Sequence, residues 1–366
     1  MASAEHHGAG NPLWTVIFPV LAVVMVVLKL GNFVPTTHWA VVLISIILLI
    51  GAVFSAVHHA EIVAALVGEP FGSIVLAVAV TVIEVGLIVA LMLSAPDGGP
   101  TIARDTVYSA VMIVLTGLIG LCLLAGGQKH YEQTITVSGA TSYLSVLGTL
   151  AAISLILPNY TMAAEGPFYS KVQLTAVALV SLALYCAFLF VQTVRHRDYF
   201  LPSGDETPGA HATVTKEMAG ASMILLLIAL TGVVLLAKTL SPQLNALISA
   251  AHLPYEFAGV IIAGLVLAPE SIAAVRASLS NRPQVSINLA LGSTIASIGL
   301  TIPVVTLFTA FSGQQLALGV SPMKTSLLAL AMFVSITTLG TGRTTILQGY
   351  VHLALFIIFL VMAASP

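Results

Sequence analysis

Long apolar runs, each about the length of a membrane-crossing helix, alternate along the chain with short turn-rich polar pieces. At roughly 20 residues per span, the pattern predicts eleven: 13–30, 39–57, 72–93, 106–126, 138–158, 172–193, 218–238, 257–276, 285–310, 322–340 and 345–364. Gly-, Pro- and Asp-bearing pieces at 95–100, 126–133 and 163–167 read as turns between them. The longest polar piece, 196–217, has the composition of a flexible cytoplasmic linker and falls just past the middle.

The linker divides the pattern into a tail and leading helix (1–38), five helices (39–193), the linker itself (194–217) and five more helices (218–366). Because five is odd, the second set enters the membrane from the side opposite to the first. That is the inverted-repeat logic of secondary transporters, whose site lies near the midplane between the repeats. Direct identity between the halves is thin, although Phe71 and Phe257 stand equally far ahead of the glutamates Glu84 and Glu270.

Composition agrees with the pattern. The chain is 58% hydrophobic and 7% charged, where a soluble domain carries about 25% charged residues. An all-α polytopic membrane protein follows, with the lipid bilayer as its first partner. A net charge of -2 without a basic patch gives no sign of nucleic-acid binding. Cys122 and Cys186 sit inside apolar runs, where core thiols are expected and a disulfide is not. No Lys or Arg precedes residue 13, so 13–30 is expected as a retained helix and not a cleaved signal peptide.

Lys and Arg set the orientation. With a cytoplasmic N-terminus, inside loops hold Lys129, Arg195, Arg197, Lys216, Arg276, Arg282 and Arg343, and outside loops hold Lys29, Arg104, Lys171, Lys238 and Lys324. The excess favours the cytoplasmic N-terminus.

Two acids stand apart. Glu84 and Glu270 lie well inside apolar runs, one in the second helix of each five. A charge at mid-membrane costs about 2.5–3.5 kcal/mol even on the lenient insertion scale, so such residues are functional by default; the bland alternative is a protonated structural acid. Glu61, Glu69, Asp105 and Glu256 fall at predicted helix ends, where capping and the macrodipole account for them. A vestibule role is a second reading for Glu69, Asp105 and Glu256.

Hydroxyls gather nearby. Ser286, Ser293, Ser297 and Thr301 follow helical spacing down one face of 285–310, with Gly292 and Thr294 beside them. Ser109 and Thr116 line up below Asp105, and Thr81 precedes Glu84 by about one turn. Close helix packing explains such a stripe equally well. Pro269, directly before Glu270, frees a backbone carbonyl, which lipid tolerates only where something satisfies it. Calcium takes roughly 6–8 oxygen ligands, and two carboxylates with hydroxyls, a carbonyl and water can supply them. The same carboxylates hold either a cation or protons, which is the chemical requirement of a cation/proton antiporter. No nucleophile or nucleotide motif marks an enzyme, and no cofactor is expected. His58 and His59 end the predicted second helix on the cytoplasmic side, as interfacial residues or, less simply, a pH sensor.

The stretches HHAEIVAALVGEPFGSIVLAVAVTVIEVGLI (58–88) and RDTVYSAVMIVLTGLIGL (104–121) resemble the first repeat of the calcium/cation antiporter superfamily. Residues 265–306, LVLAPESIAAVRASLSNRPQVSINLALGSTIASIGLTIPVVT, resemble the second, and GTGRTTILQGYVHLALF (340–356) is similar to the closing helix of its cation/proton exchanger branch. Over nearly its whole length the chain resembles the ChaA-type sodium/calcium:proton antiporters. The resemblance implies an alternating-access exchanger of a bacterial inner membrane, with Glu84 and Glu270 binding the transported cation and the exchanged protons. It places small polar site positions at Ser109, Gly292, Ser293 and Ser297. The residues before each glutamate depart from the superfamily's Gly-Asn or Thr/Ser-rich pattern, which leaves fewer oxygens and turns preference toward sodium or potassium. A sodium-driven calcium exchanger of the same fold and a passive cation channel remain the alternatives.

Overall fold

The computed structural model describes residues 12–68, 71–95, 99–200 and 215–365. Among them, eleven helices are long and apolar enough to cross a membrane: α1 (Leu13–Leu30), α2 (Trp39–Val67), α3 (Phe71–Ser94), α4 (Ile102–His130), α5 (Val137–Tyr160), α6 (Lys171–Arg195), α7 (Lys216–Ala250), α8 (Phe257–Leu279), α9 (Pro283–Ser312), α10 (Pro322–Leu339) and α11 (Ile346–Ala364). Each corresponds to one apolar run. The runs understate the helices because polar residues without turn chemistry do not end them. Thus α2 continues through His58, His59 and Glu61 and stops at Gly68, whose φ of 73° suits only a residue without a Cβ. His58 and His59, expected at a helix end, therefore lie within the span. In the same way α7 runs on past its apolar window, through Pro242.

The chain forms two compact units. The first comprises 1–79 and 205–239. Here α1 packs along α2, and the Phe18 ring occupies the space that a side chain at Gly51 would need. The carbonyl of Thr15 accepts from Ser55 Oγ (2.5 Å) and His59 Nε2 (3.0 Å). His59 is thus a structural donor to α1, wholly buried.

The second unit comprises 80–204 and 240–366. In it α9 packs against α5, α6 and α8, and α4 packs against α8 and α11. Met112, Leu115, Ile119, Leu147, Leu150 and Phe359 are fully buried there, whereas Val172, Leu179, Phe311 and Leu347 are exposed, as a surface facing lipid allows. The approach of α4 to α8 is set by Gly259. A Cβ at that position would lie 2.6 Å from the Asp105 carbonyl carbon and 2.7 Å from the Thr106 nitrogen. Gly259→Ala is therefore expected to lower the melting temperature in detergent, because overpacking of this kind costs about 1–3 kcal/mol; a melt identical to wild type would show that the two backbones do not approach so closely.

Two short ties cross this unit. Strand β1 (Glu132–Thr134), between α4 and α5, pairs antiparallel with β2 (Arg343–Thr345), between α10 and α11, with Glu132 opposite Thr345. Beyond the other ends of α5 and α10, Phe168 and Ala317 form a single antiparallel bridge. The amides of Leu318 and Gly319 both reach the Pro167 carbonyl there (3.0 Å each). Both α5 and α10 are thus held at each end by a loop from the other half of the chain. Ile113–Leu118 within α4, Ala152–Ile156 within α5 and Val191–Arg195 within α6 are π-helical, the widened form that recurs at functional positions.

Candidate functional site

Glu84 is 1% exposed on α3, where Ile83, Leu87 and Ile88 are buried as well. Its partners come from α9, far along the chain. Ser297 Oγ and Thr301 Oγ1 both donate to Glu84 Oε2, the second at 3.0 Å. Their i, i+4 spacing puts them on one helix face, which is why two hydroxyls reach one oxygen. The other oxygen, Oε1, has no hydrogen-bond partner among the described residues. A buried carboxylate with one oxygen doubly served and the other bare is costly as an ion unless a positive group completes it.

The remaining site candidates sit on the helices expected. Thr81 is buried one turn before Glu84 on α3, and Ser109 is buried on α4. Gly292 and Ser293 are half-buried on α9, one to two turns before Ser297. Glu270 is half-buried on α8, directly after Pro269. Pro269 has no amide hydrogen, so the Leu265 carbonyl four residues earlier lacks its helical donor. Two nearby hydroxyls bond back to their own helices: Thr294 Oγ1 donates to the Ala290 carbonyl on α9 (2.9 Å), and Thr116 Oγ1 to that of Met112 on α4 (2.5 Å). Glu69 lies outside the described residues.

Asp105 and Glu256 require a correction. Asp105 lies in the first turn of α4 and Glu256 at the N-cap of α8, but neither side chain makes a capping hydrogen bond. Asp105, 2% exposed, pairs with Arg104 (3.0 Å) and with Lys324 Nζ (3.0 Å). Glu256, which precedes α8 without a side-chain cap bond, pairs with Arg104 Nη2 (3.4 Å) and with Lys324. Arg104 Nη1 also donates to the Gly319 carbonyl (3.0 Å). Arg104 and Lys324, counted above as charges of outer loops, are instead buried within α4 and in the first turn of α10. Tertiary pairing across 152 and 219 residues overrides the local helix-end reading.

One polar residue escaped the sequence reading altogether. His352 on α11 is 0% exposed. Its Nδ1 donates to the carbonyl of Leu115 in the π-helical part of α4 (2.6 Å), and its Nε2 meets Thr338 Oγ1 on α10 (3.1 Å). Only the burial of both neighbours identifies it, since HLALF reads as an ordinary apolar helix. His352→Leu is expected to destabilise by about 1–3 kcal/mol through the unpaired Leu115 carbonyl. His352→Asn, which keeps a donor near Nδ1, should recover part of that in the same thermal melt; equal melts for all three proteins would remove the bridge.

Among the described residues, no three His, Cys, Asp or Glu side chains group as a metal centre.

Comparison with known proteins bears on the family and the fold. A family model described as sodium/calcium exchanger protein matches residues 37–194 and 221–364. The chain is 50% identical to the y4hA protein of Sinorhizobium fredii over 97% of each chain. It is 36% identical to the sodium-potassium/proton antiporter ChaA of Escherichia coli over 94% of each. In fold it is similar to native YfkE, with a TM-score of 0.73 at 16% identity, covering 96% of this chain and 99% of that one. It is also similar to the H+/Ca2+ exchanger CAX, at a TM-score of 0.69 and 16% identity, covering 95% of this chain and 88% of that one.

Proposed function

The chain belongs to the sodium/calcium exchanger protein family and is an ion antiporter, and we propose that it exchanges cytoplasmic Ca2+, Na+ and K+ for external protons. In this reading a cation and a proton compete for Glu84 and Glu270 while the protein alternates between inward- and outward-open forms. The observation that carries it is Glu84, buried on a spanning helix with Oε2 fixed by Ser297 and Thr301 and Oε1 bare. A proton on Oε1 completes the group one way, and a metal cation completes it the other. In this reading Ser109, Thr81, Gly292 and Ser293 supply further polar positions, and the Leu265 carbonyl freed by Pro269 offers one more oxygen, one turn before Glu270.

The two ties support inverted repeats. One joins the loop after α4 to the loop after α10, and the other joins the loop after α9 to the loop after α5. Exchanging the two halves of the chain turns one tie into the other, as a two-fold axis in the membrane plane requires. The likeness to the antiporter of Escherichia coli supports a bacterial inner membrane, and the Lys/Arg distribution favours a cytoplasmic N-terminus. Proton coupling is favoured over a sodium-driven calcium exchanger because Val82-Ile83 and Ala268-Pro269 bring no side-chain oxygen directly before either glutamate. A channel has no use for an acid that holds one ligand at a time.

The test uses everted vesicles with a pre-formed acid interior. Sodium, calcium or potassium added outside is expected to dequench a pH dye, and the half-saturating concentrations rank the substrates. Cation uptake that appears only against a sodium gradient would replace the reading with the sodium-coupled one. In the same assay, Ser297→Ala is expected to raise the half-saturating concentration about tenfold or more, since a hydrogen bond to a charged group contributes roughly 1.5–3 kcal/mol; an unchanged value would take Ser297 out of the site.

A further inference from the structure

The ion cluster of Arg104, Asp105, Glu256 and Lys324 has no task in the exchange just described. Its geometry is that of an occupied cation pocket. The Lys324 ammonium lies between Asp105 Oδ1 (3.0 Å) and Glu256 Oε2, with the Tyr108 ring 5.8 Å away. A small cavity opens at the same place, lined by Asp105, Tyr108, Ser109, Glu256, Val260 and Lys324 among others. Along α4 it extends one turn, from Asp105 at the cluster to Ser109 among the site candidates. Tyr108 is 3% exposed, yet its hydroxyl has no hydrogen-bond partner among the described residues. Buried phenols normally find one. The crevice therefore presents two carboxylates, an unused phenol oxygen and a serine, all hard oxygen donors of the kind that alkali and alkaline-earth cations take.

We propose that Asp105, Tyr108 and Glu256 form an outer subsite through which the transported metal cation leaves, and that the Lys324 ammonium is its tethered competitor. The proposal rests on the exchange reading above. Two acids here face two bases, so the resting cluster is neutral and has no vacancy for a further cation. A metal ion enters only as Lys324 swings out past Glu256, the more exposed acid, whose side chain is 41% exposed. A sodium ion that replaces the ammonium leaves the cluster neutral, and a calcium ion leaves it with one positive charge. Arg104, fixed to the Gly319 carbonyl, remains and keeps the subsite weak enough to release its ion outward. Lys324 thereby sets the apparent affinity at this end of the protein.

The test compares Lys324→Met with wild type in proteoliposomes, varying sodium and calcium on the side of the cluster. Loss of the competitor should lower the half-saturating cation concentration about tenfold. Equilibrium dialysis of the detergent-purified proteins with radioactive calcium or sodium should find one more bound ion per chain in Lys324→Met than in wild type. Equal half-saturation together with equal stoichiometry would overturn the subsite while leaving proton exchange intact. Should wild type move no protons for any cation, the exchange reading fails alone, and the dialysis still decides the subsite in either direction. If Lys324→Met cannot be purified, Glu256→Gln carries the test at an accessible position: a half-saturating concentration raised several-fold supports the subsite, and an unchanged one overturns it.

Discussion

Glu84→Gln is expected to reduce cation-driven proton flux to the background of empty vesicles. The substitution keeps the shape of the side chain, and an amide oxygen can still accept from Ser297 and Thr301. What it removes is the charge that a bound cation needs and the oxygen that a proton titrates. A unit charge 4 Å from a cation contributes about 4 kcal/mol at an effective dielectric of 20, or roughly three orders of magnitude in affinity. Fold and insertion should be unaffected, because glutamine has nearly the volume of glutamate and keeps the acceptor for Ser297 and Thr301. The check pairs dye dequenching in everted vesicles with the amount of protein recovered in the membrane. Persistent exchange by a fully inserted Glu84→Gln protein would sink the assignment of the site.

Arg104→Met should be the most destabilising single change in the ion cluster. Arg104 serves Asp105, Glu256 and the Gly319 carbonyl together while only 7% exposed. Its loss leaves Asp105 with Lys324 alone and strips the carbonyl of its donor. Breaking a buried pair by removing one partner costs about 3–5 kcal/mol, because the other charge stays buried without compensation. A melting temperature several degrees below wild type is expected. Adding Asp105→Asn should restore part of the loss, since the uncompensated acid is then gone as well. If the double variant melts lower than Arg104→Met, the two residues do not act as a pair.

The number of spans and the two acids were legible in the sequence because both are properties of single helices. An apolar run of membrane length and one carboxylate within it need no partner to be seen. Ser297 and Thr301 were legible as a stripe, but nothing local said that the stripe faces Glu84 and not a packing neighbour. Helix ends were less legible: α2 ran past its apolar window through His58 and His59, because only Gly68 changes the backbone geometry. The ion cluster was misread for a physical reason. Asp105 and Glu256 occupy positions where helix-end electrostatics suffices as an explanation, and their partners lie on helices whose proximity no local pattern reports. His352 was invisible on the same ground, since a histidine in an apolar helix announces no partner.

The distance along the chain between Glu84 and its hydroxyls has a consequence for biogenesis. Ser297 and Thr301 follow Glu84 by 213 and 217 residues. At the usual 5–20 residues synthesised per second, α3 waits about 10–40 s in the membrane before α9 exists to receive it. During that interval a carboxyl group stands among lipid or early helices with no native donor. The nascent first half is therefore the stage at which this protein is most exposed to quality-control proteases and most dependent on an insertase or membrane chaperone. Ribosome stalling between α3 and α9 would be expected to yield a short-lived fragment, whereas arrest after α9 would leave a far more durable one.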